Sequence, residues 1–177
     1  MNNVVRAAIE VPTGIIKALI NNLIHGSYIS PIAAISPMAE VTIDRGTKRV
    51  TIADHFRMRE GARIRVRTGA SLAIGKNVFI NHGCIIVSRE RVVIGDDVQF
   101  GPNVMIYDHD HDYRAAGGVR SMKFRTSPII IGNNVWIGAS VVILRGTTIG
   151  DNSVIGAGCV IKGNYGDNSV VIQKREG

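Results

Sequence analysis

The chain has 177 residues, of which 45% are hydrophobic but only 5% aromatic, and it carries a formal charge of +7. That length fits one domain with a sizeable core, and the composition requires a core of Ile, Val and Ala rather than rings. The charge points to a polyanionic partner such as nucleic acid, anionic lipid or a phosphorylated cofactor. The basic residues are scattered along the chain, which argues against a nucleic-acid-binding arm.

The first 34 residues read as a helical segment. In "GIIKALINNLIHG" the apolar residues Ile15, Ile16, Leu19, Ile20, Leu23 and Ile24 recur at helical spacing. The run is too short for a membrane span. Glu10 and Pro12 interrupt any leader-like pattern, so no secretory signal is expected. The segment is expected to be a helix packed on the domain; the alternative is contact with a membrane surface, helped by Arg6 and Lys17.

From about residue 35 the chain counts in sixes. Downstream the pattern is unbroken: Ile131, Ile137, Ile143, Ile149, Ile155 and Ile161 fall six apart. Four residues after each of the first five stands a small or β-branched residue: Val135, Val141, Thr147, Ser153 and Cys159. Upstream there are triples with breaks between them: Ile52, Met58 and Ile64; Ile74, Ile80 and Ile86; Ile94, Phe100 and Ile106. Neither a helix nor an alternating strand has this period. A coil of three short strands does, with each Ile inward, the small residue beside it, and Gly or Asn at the tight corners. Stacked about 4.8 Å apart, such coils make a parallel β-helix of roughly five to six turns over residues 35–172. A basic tail, residues 173–177, follows. Cys84 and Cys159 lie within periodic segments and read as buried thiols, which fits a reducing cytoplasm.

One interruption breaks the count. Between Ile106 and Ile131 a loop, residues 107–130, leaves the solenoid carrying "YDHDHDYR". A long insertion in a solenoid maps to one face and often carries function.

The repeat, the loop and "SPIIIGNNVWIGASVVILRGTTIGDNSVIGAG" together resemble the hexapeptide-repeat acyltransferases. The likeness is to the galactoside and maltose O-acetyltransferase branch and to bacterial polysaccharide O-acetyltransferases of the capsule type. It implies a left-handed helix, a homotrimer with active sites between subunits, and acetyl-CoA as donor, with no metal. The implied reaction is O-acetylation of a sugar hydroxyl on a saccharide or surface-polysaccharide precursor, in the cytoplasm or at the inner face of the membrane.

Counting from Pro102, the resemblance places the general base on His111 and an acceptor-contacting asparagine on Asn81. His82, His109, Tyr113 and Arg114 are further acceptor-side candidates, and Arg89 or Glu90 would face the acceptor groove. Trp136, Ala139, Ala157 and Lys162 match donor-binding positions, and Lys174 or Arg175 could meet the donor's phosphates. The chemistry fits. A sugar hydroxyl needs a base as it attacks a thioester, and imidazole titrates nearest neutrality. Asp108, Asp110, Asp112 or a backbone carbonyl could hold the other ring nitrogen, and the Ala139 N–H could stabilise the oxyanion.

Three other readings stand beside this one. A γ-class carbonic-anhydrase-like enzyme would bind zinc through His82, His109 and His111, although the His-Asp-His run does not match that family's ligand spacing. The others are N-acetylation of an amino or nucleotide sugar, and a non-catalytic assembly module.

Overall fold

The computed structural model describes residues 3–173, without the side chains of Asn3, Val4, Arg6 and Ala7. A helix, Asn3–His25, leads into three parallel sheets that wrap one column of aliphatic side chains. Successive strands pass from the first face to the second to the third, and each strand pairs with its counterpart one coil away. There are six such coils and a partial seventh. This is the parallel β-helix that the hexad spacing requires.

The register explains where the hexads hold and where they break. Partners Ile131 and Ile149 lie 18 residues apart, three hexads to a coil. Ile74 and Ile94 lie 20 apart, and Ile52 and Ile74 lie 22 apart. The extra residues widen the corner between the third and first faces, so the inward column survives although the sequence period does not. Every Ile, Met and Phe of the upstream triples is buried. Burial of each such side chain contributes about 1.5–3 kcal/mol. The small residues do as expected: Val135, Val141, Thr147, Ser153 and Cys159 are buried beside them.

At corners the chain turns left-handed, with Asn77, Asn134, Asn152 and Asn168 all at positive φ. The glycine after an inward Ile serves close stacking instead. A Cβ on Gly138 would lie 2.6 Å from the Ala157 backbone nitrogen of the next coil.

Three expectations change. The helix ends at His25 and the first strand is Tyr28–Ile29, so the solenoid begins before residue 35. Ile29 and Ile35 already form the inward row there. The core also holds two rings, Phe56 and Phe100. Phe100 takes a place that Ile fills in the neighbouring coils, pairing with Ile80 and Ile137.

The third change concerns the helix, which packs by its other side. Glu10, Gly14, Ala18 and Asn21 are buried against the first coil, while Ile15, Ile16, Leu19, Ile20, Leu23 and Ile24 are exposed. A Cβ on Gly14 would run into the Ala33 carbonyl, so only glycine admits this approach. Glu10 pairs with Arg59 at 3.1 Å. Lys17 turns inward to the carbonyls of Ser36, Pro37 and Ala39, and burial lowers its pKa. Lys17 is therefore not free to reach a membrane, and the side chain of Arg6 lies outside the described residues. Among the described residues no helix is long and apolar enough to cross a membrane.

Candidate functional site

The expected loop leaves the corner between the third and first faces of the fourth coil, after strand Met105–Tyr107, and returns at Ile129–Ile131. It is not irregular throughout. His109–His111 and Phe124–Thr126 form an antiparallel hairpin, with His109 opposite Thr126 and His111 opposite Phe124. A short 3-10 turn, Gly118–Ser121, forms part of the connection between them.

Asp108 roots this hairpin. It is fully buried. Its carboxylate accepts hydrogen bonds from the backbone N–H groups of Arg89, Glu90 and Arg91 and from Ser88 Oγ. His109 Nδ1 lies 3.2 Å from Asp108 Oδ1. Burial pushes the carboxyl pKa up, but His109, the Glu90 and Arg89 amides and Ser88 outweigh it, and the net shift is downward. The "SRER" break is thus a corner turn wound around a carboxylate supplied by the next coil.

Two arginines clamp the hairpin from either side. Arg89, one coil up, holds its guanidinium 3.5 Å from the centre of the Phe124 ring. Its Nε is buried and has no partner among the described residues. Arg145, one coil down, pairs with Asp110. The rings of Tyr107 and Phe124 flank His109 at 5.9 and 5.5 Å, and Phe124 also meets His111 at 4.6 Å.

The two histidines therefore differ. His109 is wedged and held; His111 is exposed at the rim, and its ring makes no hydrogen bond among the described residues. None of the three candidate aspartates holds its ring. Asp108 is taken by His109 and the corner turn, Asp110 by Arg145, and Asp112 accepts from the Arg114 N–H. The aspartates are spent on building the hairpin. Tyr113 and Arg114 stand exposed beyond it, the guanidinium 5.3 Å from the tyrosine ring.

The remaining candidates lie elsewhere on the prism. Asn81, His82, Ala139 and Ala157 occupy the corner between the second and third faces, across the third face from the hairpin's root. Equivalent positions stack here. His82 N–H is taken by Asn81 Oδ1, and Pro102 has no N–H. The Ala139 and Ala157 N–H groups donate to nothing among the described residues. Two free amides, one above the other, thus line this edge. Trp136 projects from the second face, 58% exposed. Lys162 sits at the hairpin's corner, two coils below it, and Lys174 and Arg175 lie outside the described residues.

His82 pairs with Glu60 at 3.4 Å, away from the other two histidines. Burial pushes the Cys84 thiol up in pKa, and its Sγ contacts the Gly101 carbonyl, so it is no ready nucleophile. A groove of about 750 Å³ on the first face, lined by Lys48, Arg49, Ser71, Glu90, Arg91 and Pro128, contains Glu90 but none of the histidines or donor-side candidates.

A family model described as bacterial transferase hexapeptide (six repeats) matches residues 128–163, the stretch holding the unbroken hexads. Over that stretch the chain resembles the bacterial transferase hexapeptide family. Over 106 residues it is 43% identical to the galactoside O-acetyltransferase of Escherichia coli (strain K12), covering 58% of this chain and 50% of that one. A maltose O-acetyltransferase structure from Clostridium difficile 630 matches with a TM-score of 0.52 and 34% identity, over 76% of this chain and 61% of that one. A galactoside acetyltransferase in complex with coenzyme A matches with a TM-score of 0.52 and 28% identity, over 96% and 86%. The chain spans about half the length of the first curated relatives it matches.

The matched segment contains Trp136, Ala139, Ala157 and Lys162, and the histidine hairpin lies just before it. Sequence reasoning missed Phe124 and Arg145. Neither has a local signal; only the hairpin register and the coil below bring them to the histidines.

Proposed function

We propose that this protein is an acetyl-CoA-dependent O-acetyltransferase acting on a saccharide hydroxyl, with His111 as general base. The observation that carries this is the presence of two complementary sets of groups on two edges of one prism. One edge presents an accessible imidazole on a clamped hairpin; the other presents the free Ala139 and Ala157 amides. Relatives named as galactoside and maltose O-acetyltransferases, and a related structure bound to coenzyme A, support the same reading.

In this reaction the His111 ring takes the proton of the acceptor hydroxyl as its oxygen attacks the thioester carbonyl. The Ala139 N–H stabilises the resulting oxyanion. Collapse expels the thiolate, which takes the proton back from the imidazolium. The acetyl group passes directly, without an acyl-enzyme. Asn81 and His82 lie on the acceptor side, and Trp136 flanks the donor.

The test is release of free CoA from acetyl-CoA in the presence of a panel of saccharides. Saturating CoA should quench or shift the fluorescence of Trp136, the only tryptophan, and raise the melting temperature. CoA that does neither, with no acceptor-dependent release, would refute the reading.

Such a split site requires neighbouring prisms. Light scattering should give three times the chain mass. Co-assembly of His111→Ala chains with Ala139→Pro chains should restore activity that neither variant has alone, because a mixed trimer holds one edge intact from each. An active monomer would rule this out.

A further inference from the structure

We infer that the N-terminal helix docks the protein on an anionic lipid surface, with its apolar face at the boundary between headgroups and acyl chains. The helix is held with its Ile and Leu side chains outward. Gly14 against Ala33, Glu10 with Arg59 and Lys17 on three carbonyls fix its rotation, so it cannot roll to bury them. Leu23 is 88% exposed, and Ile16, Leu19 and Ile24 about 60%. Between Glu10 and His25 the only ionisable residue is Lys17, which points inward, so the outer face there carries no charge. A continuous apolar face of this kind signals an interaction surface. Ile32 and Met38 are also exposed, on the first coil that the helix packs against.

Charge selects the occupant. On the first two coils Arg45, Lys48, Arg49, Arg57 and Arg65 are exposed and have no carboxylate partner among the described residues. Nearby acids are engaged: Glu10 by Arg59, Asp44 by Arg67, Asp54 by Ser30, and Glu60 by His82. The apolar face thus sits at a basic end of the prism. A second copy docking there would bring two basic ends together. An anionic bilayer offers apolar depth for the helix and negative headgroups for the arginines and lysines, the two contributions that bind interfacial helices.

The test is co-sedimentation of the full chain with vesicles of phosphatidylcholine alone or mixed with phosphatidylglycerol. The protein should pellet with the mixed vesicles. Binding should fall at least about tenfold on phosphatidylcholine alone or at high salt. Leu19→Glu with Leu23→Glu should abolish pelleting while leaving the melting temperature unchanged, since both side chains are exposed. Lys48→Glu with Arg49→Glu, which leaves the helix intact, should weaken binding to the mixed vesicles alone. Wild-type protein that stays in the supernatant, or a Leu19→Glu/Leu23→Glu variant that pellets normally, would overturn the inference. So would dissociation of the assembly by those two substitutions, which would make the face a contact between copies.

Discussion

Replacing His111 with Ala should lower kcat by about two to four orders of magnitude, the usual size of a lost general base. That corresponds to about 3 to 5 kcal/mol of transition-state stabilisation. Stability should barely change, because the side chain is exposed and forms no hydrogen bond among the described residues. CoA binding should also persist, since it draws on the other edge of the prism. His109→Ala should behave differently. It removes a ring held by Asp108 and packed between Tyr107 and Phe124, so it should loosen the hairpin and raise the acceptor KM more than it lowers kcat. His109 has the better-oriented ring and His111 the better access, and the pair of variants separates these. If His109→Ala is inactive while His111→Ala keeps most of its activity, the assignment is wrong.

How far the sequence revealed this site depends on what kind of contact builds each part. The solenoid was legible because its core is a local rule: Ile every sixth residue needs only the coil it sits in. Counting stopped working upstream where the third-to-first corner widens, since Ile52 and Ile74 remain partners at a spacing no hexad predicts. The helix misled for a related reason. Its Ile and Leu stripe is a true amphipathic signal, but which stripe faces the protein is decided by Gly14, Lys17 and Glu10 meeting groups in the first two coils. The histidine hairpin was visible as an interruption, not as a structure. "DHDH" shows ionisable groups and hides their division of labour, because Asp108 acts on a turn 17 to 20 residues earlier and Asp110 on an arginine 35 residues later.

Asp108 carries the largest expected effect on structure. One buried carboxylate receives three backbone amides, a serine hydroxyl and an imidazole. Asp108→Ala takes the acceptor from the Arg89, Glu90 and Arg91 amides, while Ser88 Oγ keeps the Ser71 carbonyl, and breaking such a charged cluster costs about 3 to 5 kcal/mol. A solenoid opens locally, so the loss should be read at the turn itself. Amide exchange at Arg89, Glu90 and Arg91 should quicken by about two to three orders of magnitude, while the amides of Gly132 and Gly150, in coils below, keep their protection. Acceptor-dependent activity should fall too, because the same carboxylate roots the strand that carries His111. The pH dependence has a definite sign. The folded-state pKa of Asp108 is depressed, so its contribution is complete above the ordinary carboxylate range and is lost as the pH falls through the lowered value. Wild-type protection at the turn should therefore decline in acid, and in Asp108→Asn it should be weaker but nearly independent of pH there. Unchanged exchange at Arg89, Glu90 and Arg91 in Asp108→Ala would show that the turn holds without its carboxylate.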